Sequence, residues 1–299
     1  MAITAALVKE LRERTGAGMM DCKKALIETS ADLEAAIDLM RASGAAKAAK
    51  KAGRVASEGL VSIAVSDDNK SAAILEVNSE TDFVAKSGAF IDFVSKLVKL
   101  ALKNMPSNIE EFLSQTLDTG ETVDKARENI VAKIGENISI RRVKVVKTGN
   151  GTIGAYKHGG RIAVLTHLAE DNAPLAKDIA MHIAAANPQA LDPSTVDASD
   201  LERERAVLLE QAKESGKPAD IAEKMVEGRI RKYYEEVCLT EQTFIMDGEN
   251  KVSQVIENAA KEMGSPIKLT GYIRFALGEG IEKEEEDFAA EVAKTARSA

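Results

Sequence analysis

The sequence predicts an α+β fold in which two related core subdomains with antiparallel sheets follow a small N-terminal helical module. Three observations predict this fold. Apolar residues recur at helical spacing over residues 1–44, and from Gly59 onward the apolar period changes to two. Residues 151–187 then resemble a diverged repeat of residues 59–102, since both segments contain strands, an acidic turn and a helix in that order. A chain of 299 residues is long enough for roughly two domains.

Residues 1–44 predict three short helices, each with one apolar face. The faces comprise Ile3, Leu7 and Leu11; Cys22, Ala25, Leu26 and Thr29; and Leu33, Ala36, Ile37 and Met40. Ser30 is predicted to cap the third helix and Gly44 to end it. Because so small a unit has a thin core, we interpret residues 1–54 as a docking module that ends in a linker from Ala45 to Arg54.

The first core subdomain, residues 55–146, is predicted to combine a sheet with two helices. Alternating apolar residues over 61–65, a turn at 67–69 and a more buried strand over 72–77 begin it. The long helix that follows has an apolar face made of Phe90, Phe93, Val94, Leu97 and Ala101. A further helix stops at Gly135, and in the strand that starts at Ile138 the alternation slips at Arg141-Arg142, which predicts a β-bulge.

The second core subdomain, residues 147–280, is predicted to repeat this plan with an insertion. Strands near 151–153 and 161–165 precede a helix, and a helix over 252–259 and a strand over 269–277 close the subdomain. The insertion, at about 195–237, predicts a charged helical hairpin broken at Gly216-Lys217-Pro218, with apolar faces too narrow for a core, so we expect it to project. Residues 281–299 predict a polar C-terminal helix with Phe288, Ala289 and Val292 on one side.

The composition disfavours several classes of function. A net charge of −8 and an aromatic content of 4% argue against direct nucleic-acid binding, which needs surplus cations and stacking surfaces. No apolar run approaches the roughly 20 residues of a membrane span, so no membrane partner is expected. Two cysteines and the absence of a signal-peptide pattern favour the reducing cytoplasm. One local exception, a basic cluster of Lys47, Lys50, Lys51 and Arg54, is interpreted as a solvated helix end, with RNA binding as the rival hypothesis.

A search for catalytic chemistry yields little. The histidines His158, His167 and His182 have neither cysteine neighbours nor metal-ligand spacing. The glycine pairs at 16–18 and 278–280 lack the strand and the Lys-Ser/Thr of a phosphate-binding loop. The sequence therefore predicts no metal site and no cofactor, and it does not indicate an enzyme.

Two short segments are ambiguous from their residues alone. Thr81-Asp82-Phe83-Val84 lies before the long helix, where Ser79 or Thr81 can cap it and Phe83, seven positions before Phe90, can join its apolar face. Pattern alone favours this cap-and-core interpretation over a functional one, and both stay open. Met19-Met20 poses the same question, but adjacent methionines cannot both face one core, so at least one is expected to be available to a partner.

Two long motifs resemble the signatures of the bacterial translation elongation factor Ts family. They are LRERTGAGMMDCKKAL at residues 11–26 and EVNSETDFVA at residues 76–85. The resemblance continues through KIGENI at 133–138, HIA at 182–184, EKMVEGR at 223–229 and GEGIEK at 278–283, so it covers essentially the whole chain. One departure is Ser79-Glu80, where the family often has Cys-Gln, and it adds a charge beside Asp82.

The resemblance implies a guanine-nucleotide exchange factor that releases GDP from elongation factor Tu. It implies that the N-terminal module is UBA-like and docks on the partner's GTPase domain, and that Thr81, Asp82, Phe83 and Val84 disturb the partner's Mg²⁺ site. The residues that it places at the docking contacts are Arg12, Met19, Met20, Lys23, Lys51 and, in the second subdomain, His158. The family's varied oligomeric state leaves room for a homodimer within a 2:2 complex. The rival interpretation is a protein-binding adaptor without exchange activity.

Overall fold

The computed structural model of the chain describes residues 3–15, 17–214 and 218–282. The N-terminal module consists of α1 (Ala5–Thr15), α2 (Met19–Glu28) and α3 (Leu33–Lys51). Its core contains apolar residues from all three predicted faces, among them Leu11, Cys22, Leu26 and Ala36. The three predicted helices are therefore confirmed.

The beginning and the end of α3 differ from the prediction. Asp32, not Ser30, caps the helix, since its side chain accepts a hydrogen bond from the Ala35 N–H at 3.0 Å, whereas Ser30 lies in a turn at φ 54°. Gly44 does not end α3, which continues to Lys51. Gly44 is buried, and a Cβ built there would lie 3.5 Å from the Ala132 Cβ. The linker predicted over 45–54 is therefore wrong for residues 45–51, because they form helix that packs on the first core subdomain.

The first sheet and its helices follow the predicted order. They are β1 (Glu58–Val65), β2 (Ser71–Ser79), α4 (Asp82–Ala85), α5 (Gly88–Asn104), α6 (Ile109–Ser114), α7 (Val123–Ile134) and β3 (Ile138–Lys147). The strands are antiparallel in the order β1-β2-β3. All five apolar residues predicted for the long helix are buried in α5, and α7 ends at Gly135, which adopts a left-handed conformation at φ 89°. Helix α6 carried no periodic signal long enough to predict it.

The second sheet repeats the first. Its elements are β4 (Thr152–His158), β5 (Ile162–Leu168), α8 (Ala173–Ala186), α9 (Ala198–Glu214), α10 (Ala219–Val237), α11 (Val252–Met263) and β6 (Leu269–Ala276). The strand order is β4-β5-β6, again antiparallel. Helices α9 and α10 form the predicted hairpin and pack on each other through Leu208, Ala212, Val226 and Ile230. The predicted C-terminal helix over 281–299 falls almost entirely on residues 283–299, which lie outside the described residues.

Two glycines at corresponding positions support the internal repeat. Gly59 precedes the apolar part of β1, and a Cβ built on it would lie 2.1 Å from the Val77 carbonyl oxygen. Gly151 precedes β4, and its Cβ would lie 1.9 Å from the Leu168 carbonyl oxygen. In each half the glycine at the start of the first strand therefore lies so close to the backbone of the second strand that no side chain fits between them.

The two sheets pack face to face and share one core. Alternate residues of β2 point to opposite layers: Ala73, Leu75 and Val77 contact α5 and α7, whereas Ala72 and Ile74 contact residues of the second sheet. The residues that the second sheet contributes to this contact include Ile153, Ala163, Leu165 and Phe275. Burial on both faces explains why β2 reads as a continuous apolar run rather than an alternation. The sequence predicted a buried strand but not that the second sheet covers it.

The predicted β-bulge places two arginines on one buried carboxylate. In the pairing of β2 with β3, Glu76 lies opposite Arg142 and Val77 opposite Ile140, so Arg141 is left without a partner in the ladder. Successive residues of a regular strand point to opposite faces, but here Arg142 Nε lies 2.5 Å and Arg141 Nη1 3.2 Å from the fully buried Glu76. Glu76 also accepts hydrogen bonds from the Asn78 side chain and from the Gly278 N–H beyond β6.

We expect Glu76→Gln to lower the free energy of unfolding by about 3 kcal/mol, because it leaves two arginines without the carboxylate that neutralises them. Urea unfolding followed by circular dichroism measures the change. Glu34→Gln is the matched control, since Glu34 forms an exposed ion pair with Arg14 and its loss has little effect. An equal change in the two variants would contradict the role given to Glu76.

His182 is a buried hydrogen-bonding residue of α8, not a ligand. Gln242 donates its amide N–H to the Glu236 carbonyl, so its Oε1 accepts from His182 Nε2 at 3.0 Å. The other ring nitrogen, Nδ1, accepts from the Ile245 N–H at 3.3 Å. Acceptance at Nδ1 requires the neutral imidazole, whereas donation from Nε2 is possible in either protonation state; burial lowers the pKa of His182 below its ordinary value, and the Gln242 hydrogen bond opposes that shift.

This arrangement predicts an acid-sensitive fold. The folded pKa of His182 is lower than the unfolded value near 6.5, so the unfolded chain binds the proton more readily and stability is lost as the pH falls below that value. We expect the free energy of unfolding to decrease between about pH 7.5 and pH 5.5, and to decrease less in His182→Gln. Identical slopes in the wild-type protein and in His182→Gln would contradict the prediction.

Candidate functional site

The segment between β2 and α5 forms a short projecting tip. Its single helical turn, α4, begins at Thr81, whose Oγ1 accepts a hydrogen bond from the Val84 N–H at 3.4 Å. Phe83 is 82% exposed, more than any other large apolar side chain of the described residues, whereas the next residue, Val84, is 9% exposed. The tip therefore presents one aromatic ring to solvent and is anchored by its neighbour.

The cap-and-core interpretation of this segment is correct for Thr81 and wrong for Phe83. The helix does not run on from Asp82 into the long helix, because Ser87 begins α5 by accepting a hydrogen bond from the Phe90 N–H at 3.4 Å. Phe83 and Phe90 therefore lie on two different helices, and their spacing of seven residues does not place them on one face. Val84 takes the position in the core that the pattern assigned to Phe83.

Asp82 lies beside Phe83 with a carboxylate that remains accessible. Its Oδ2 accepts a hydrogen bond from Lys86 Nζ at 2.6 Å, and this contact lowers the pKa of Asp82 below its ordinary value. Lys86 is a long surface side chain that is 75% exposed. A surface pair of this kind contributes little stability, so another cation or donor can replace Lys86 at small cost.

Thr81 is clamped by a carboxylate from a distant part of the sequence. Its N–H donates to Glu136 Oε2 at 2.9 Å and its hydroxyl donates to Glu136 Oε1 at 2.7 Å, so both oxygens of one carboxylate hold one residue. Glu136 follows Gly135, whose left-handed conformation ends α7 and turns the chain toward Thr81. Hydrogen bonds to an ionised acceptor are stronger than neutral ones, which makes this clamp a firm support for the tip.

A second set of contacts holds the residue before Thr81. Glu80 Oε1 accepts a hydrogen bond from the Asn137 N–H at 2.5 Å, and Glu80 Oε2 lies 3.4 Å from Arg54 Nη1. The Asn137 side chain in turn donates to the Arg54 carbonyl at 2.7 Å. The charge that Glu80 adds beside Asp82 is therefore paired within the protein, and the tip itself carries only Asp82 and Phe83 at its surface.

The basic cluster near residue 50 is largely used within the molecule. Lys47 Nζ lies 3.1 Å from Asp21 Oδ2, Lys51 Nζ donates to the Gly135 carbonyl, and Arg54 pairs with Glu80. The interpretation as a solvated helix end is confirmed in part, since α3 ends at Lys51 and both Lys50 and Arg54 are exposed. Because three of the four residues also form contacts within the molecule, the cluster gives little support to the RNA-binding hypothesis.

The docking module exposes the residues predicted to contact a partner. Met19 and Met20 are 59% and 64% exposed at the start of α2, so both are available, where the sequence required only one. Arg12 and Lys23 are exposed beside them on α1 and α2. Flexible thioethers with charged neighbours suit an apolar contact inside a polar rim.

His158 belongs to a different surface. It is exposed at the end of β4 in the second sheet, and Tyr156 Oη lies 3.1 Å from its Nδ1. The structure thus separates the predicted site residues into the tip, the module with its methionines, and the end of β4.

Sequence reasoning missed the residues that support the tip, namely Glu80, Ser87, Glu136 and Asn137. Glu136 and Asn137 lie inside the KIGENI motif, but nothing in a linear motif indicates that it meets a segment 55 residues earlier. Within the described ranges, no group of three or more His, Cys, Asp or Glu side chains could hold a metal ion, and no helix is long and apolar enough to cross a membrane.

These features define an α+β protein of two stacked three-stranded sheets that displays an exposed aromatic ring and has a three-helix module at its N-terminus. Comparison with known proteins then gives its family. The sequence model described as "Elongation factor TS" matches residues 80–279. The chain is 55% identical to elongation factor Ts of Ruthia magnifica over 98% of this chain and 97% of the relative. It is 55% identical to the Rhodospirillum centenum protein of that name over 98% and 99%, and 50% identical to that of Clostridium perfringens over 98% of each.

The chain therefore belongs to the elongation factor Ts family, a family of translation elongation factors. Its relatives match along nearly the whole length, so the tip, the docking module and the second sheet all lie within the family's shared sequence.

The contrast between Phe83 and Val84 gives a stability prediction. We expect Phe83→Ala to leave the free energy of unfolding unchanged, because the ring is 82% exposed, and Val84→Ala to lower it by about 1–3 kcal/mol through loss of core contacts. Urea unfolding of the two variants makes the comparison. A larger loss for Phe83→Ala would mean that the ring packs in the core.

Proposed function

We propose that this protein is a guanine-nucleotide exchange factor that binds elongation factor Tu·GDP and promotes release of GDP in the cytoplasm. The observation that carries the proposal is the exposure of Phe83, 82%, on a turn whose neighbours Thr81 and Val84 are fixed by hydrogen bonds and by the core. Single exposed apolar side chains are common on protein surfaces, but this ring stands on a turn whose neighbouring residues are both held in place, which supports a role in contact with a partner.

The chemistry of the tip suits a GTPase's metal site. In such proteins Mg²⁺ bridges phosphate oxygens and protein groups, and it contributes much of the affinity for the nucleotide. A rigid ring such as Phe83 can displace the side chains that support the metal, while the Asp82 carboxylate competes for the waters around it. No covalent bond is made or broken, so the protein acts as a binding partner and not as an enzyme.

The free energy for exchange has to come mostly from elsewhere on the surface. Exchange is a linkage: the factor by which the exchanger weakens GDP binding is the factor by which GDP weakens binding of the exchanger. A coupling of about a thousandfold requires roughly 4 kcal/mol of contact to the nucleotide-free partner. The exposed residues Arg12, Met19, Met20 and Lys23, together with His158, provide separate docking surfaces for this purpose.

The proposal predicts that the purified chain accelerates release of a fluorescent GDP analogue from elongation factor Tu. Phe83→Ala should slow the release by at least about tenfold while the circular dichroism spectrum stays unchanged, since the ring delivers the disturbance and does not support the fold. Lys96→Ala, an exposed change on α5, is the matched control. Binding of the wild-type chain without acceleration would instead indicate an adaptor.

A further inference from the structure

We propose that Glu136 is a positioning residue that sets the direction of the Asp82-Phe83 tip by acting through Thr81. The inference rests on the proposed function above. Glu136 itself does not touch the partner's nucleotide site. We therefore expect the rate of exchange to depend on Glu136 even though its side chain is turned inward, toward Thr81.

The geometry of the clamp is specific to the residue before the tip. Thr81 donates both its N–H and its hydroxyl to Glu136, at 2.9 and 2.7 Å, and the same hydroxyl oxygen accepts from the Val84 N–H. The hydroxyl therefore links Glu136 to the first turn of α4, the turn that carries Phe83. A helix of four residues has almost no stability of its own, so its direction depends on contacts at its two ends.

The helix that precedes Glu136 is anchored in the core. Helix α7 buries Val123, Ile130 and Val131 against the first core, and Gly135 ends it with a fixed left-handed turn. The same turn is contacted from the docking module, because Lys51 at the end of α3 donates to the Gly135 carbonyl. Tip and docking module are thus tied to one turn of the backbone, which keeps the direction of Phe83 constant relative to the module.

The first arm of the test measures positioning without any partner. The chain contains no tryptophan, so Phe83→Trp places a single reporter at the tip. We expect time-resolved anisotropy to show a larger amplitude of fast local motion when Glu136→Gln is added, because one of the two accepting oxygens becomes an amide nitrogen that cannot accept, and the remaining hydrogen bond loses its charge. Glu128→Gln, which makes the same charge change on the preceding helix, α7, and removes a contact with Lys125, should leave the anisotropy unchanged.

The second arm measures exchange on elongation factor Tu with fluorescent GDP over a range of exchanger concentrations. We expect Glu136→Gln to lower the maximal rate about tenfold and to change the half-saturating concentration by less than about twofold, since docking surfaces stay intact. In the Phe83→Ala background, Glu136→Gln should have a clearly smaller further effect, because the ring that it positions is gone and only Asp82 remains. If urea titrations show that Glu136→Gln lowers the free energy of unfolding substantially, Thr81→Val tests the same contact by changing its other partner.

The outcomes separate this proposal from the proposed function. An unchanged anisotropy decay or an unchanged maximal rate in Glu136→Gln would overturn the positioning role while leaving the exchange function standing. A loss of equal size in the wild-type and Phe83→Ala backgrounds would also overturn it, because it would reveal a general structural defect. Failure of the wild-type chain to accelerate GDP release would overturn both.

Discussion

The structure depends on burial of a carboxylate, Glu76, in the middle of its most buried strand. A charge at that position is tolerated only when it is fully paired, and four groups meet it: Arg141, Arg142, the Asn78 amide and the Gly278 N–H. These partners come from β2 itself, from the bulge of β3 and from the turn after β6. Arg142 also lies over the Phe275 ring, 4.1 Å from its centre, and donates to the Ala276 carbonyl. One charge therefore fixes the register of the first sheet and fastens the second sheet to it.

The same strand leads directly into the tip, so the constraint at Glu76 extends to the surface that we propose is functional. Beyond it, Asn78 donates to the Glu58 carbonyl, Ser79 donates to the Thr81 carbonyl, and Glu80 is held by Asn137. The polar residues of this segment mostly hold the backbone in place. The groups left available to a partner are the Phe83 ring and the Asp82 carboxylate, on a backbone with little conformational freedom. Such pre-organisation reduces the entropy lost on binding.

Local periodicity predicted much of this fold, and contacts between distant segments account for what it did not predict. The faces of α5, the burial of β2 and the bulge at Arg141-Arg142 all follow from spacing along the chain. Gly44 looked like a helix end, but it lies inside α3 where that helix approaches α7, and only the packed structure shows this. The spacing predicted that Phe83 is a core residue, because it did not reveal that a new helix begins after Ser87. That start is marked only by a single side-chain hydrogen bond, from the Phe90 N–H to the Ser87 hydroxyl. The Glu136 clamp joins residues 55 apart, which no local pattern can indicate.

In the proposed function, the tip couples the exchanger to the nucleotide while the docking surfaces provide affinity. Titration calorimetry of this protein with elongation factor Tu, nucleotide-free and GDP-bound, measures the coupling as the ratio of two dissociation constants. We expect Phe83→Ala to reduce this ratio by about tenfold or more, whereas Met19→Ala/Met20→Ala should weaken both complexes and leave the ratio unchanged. A Phe83→Ala variant with the wild-type ratio would show that the ring does not carry the coupling.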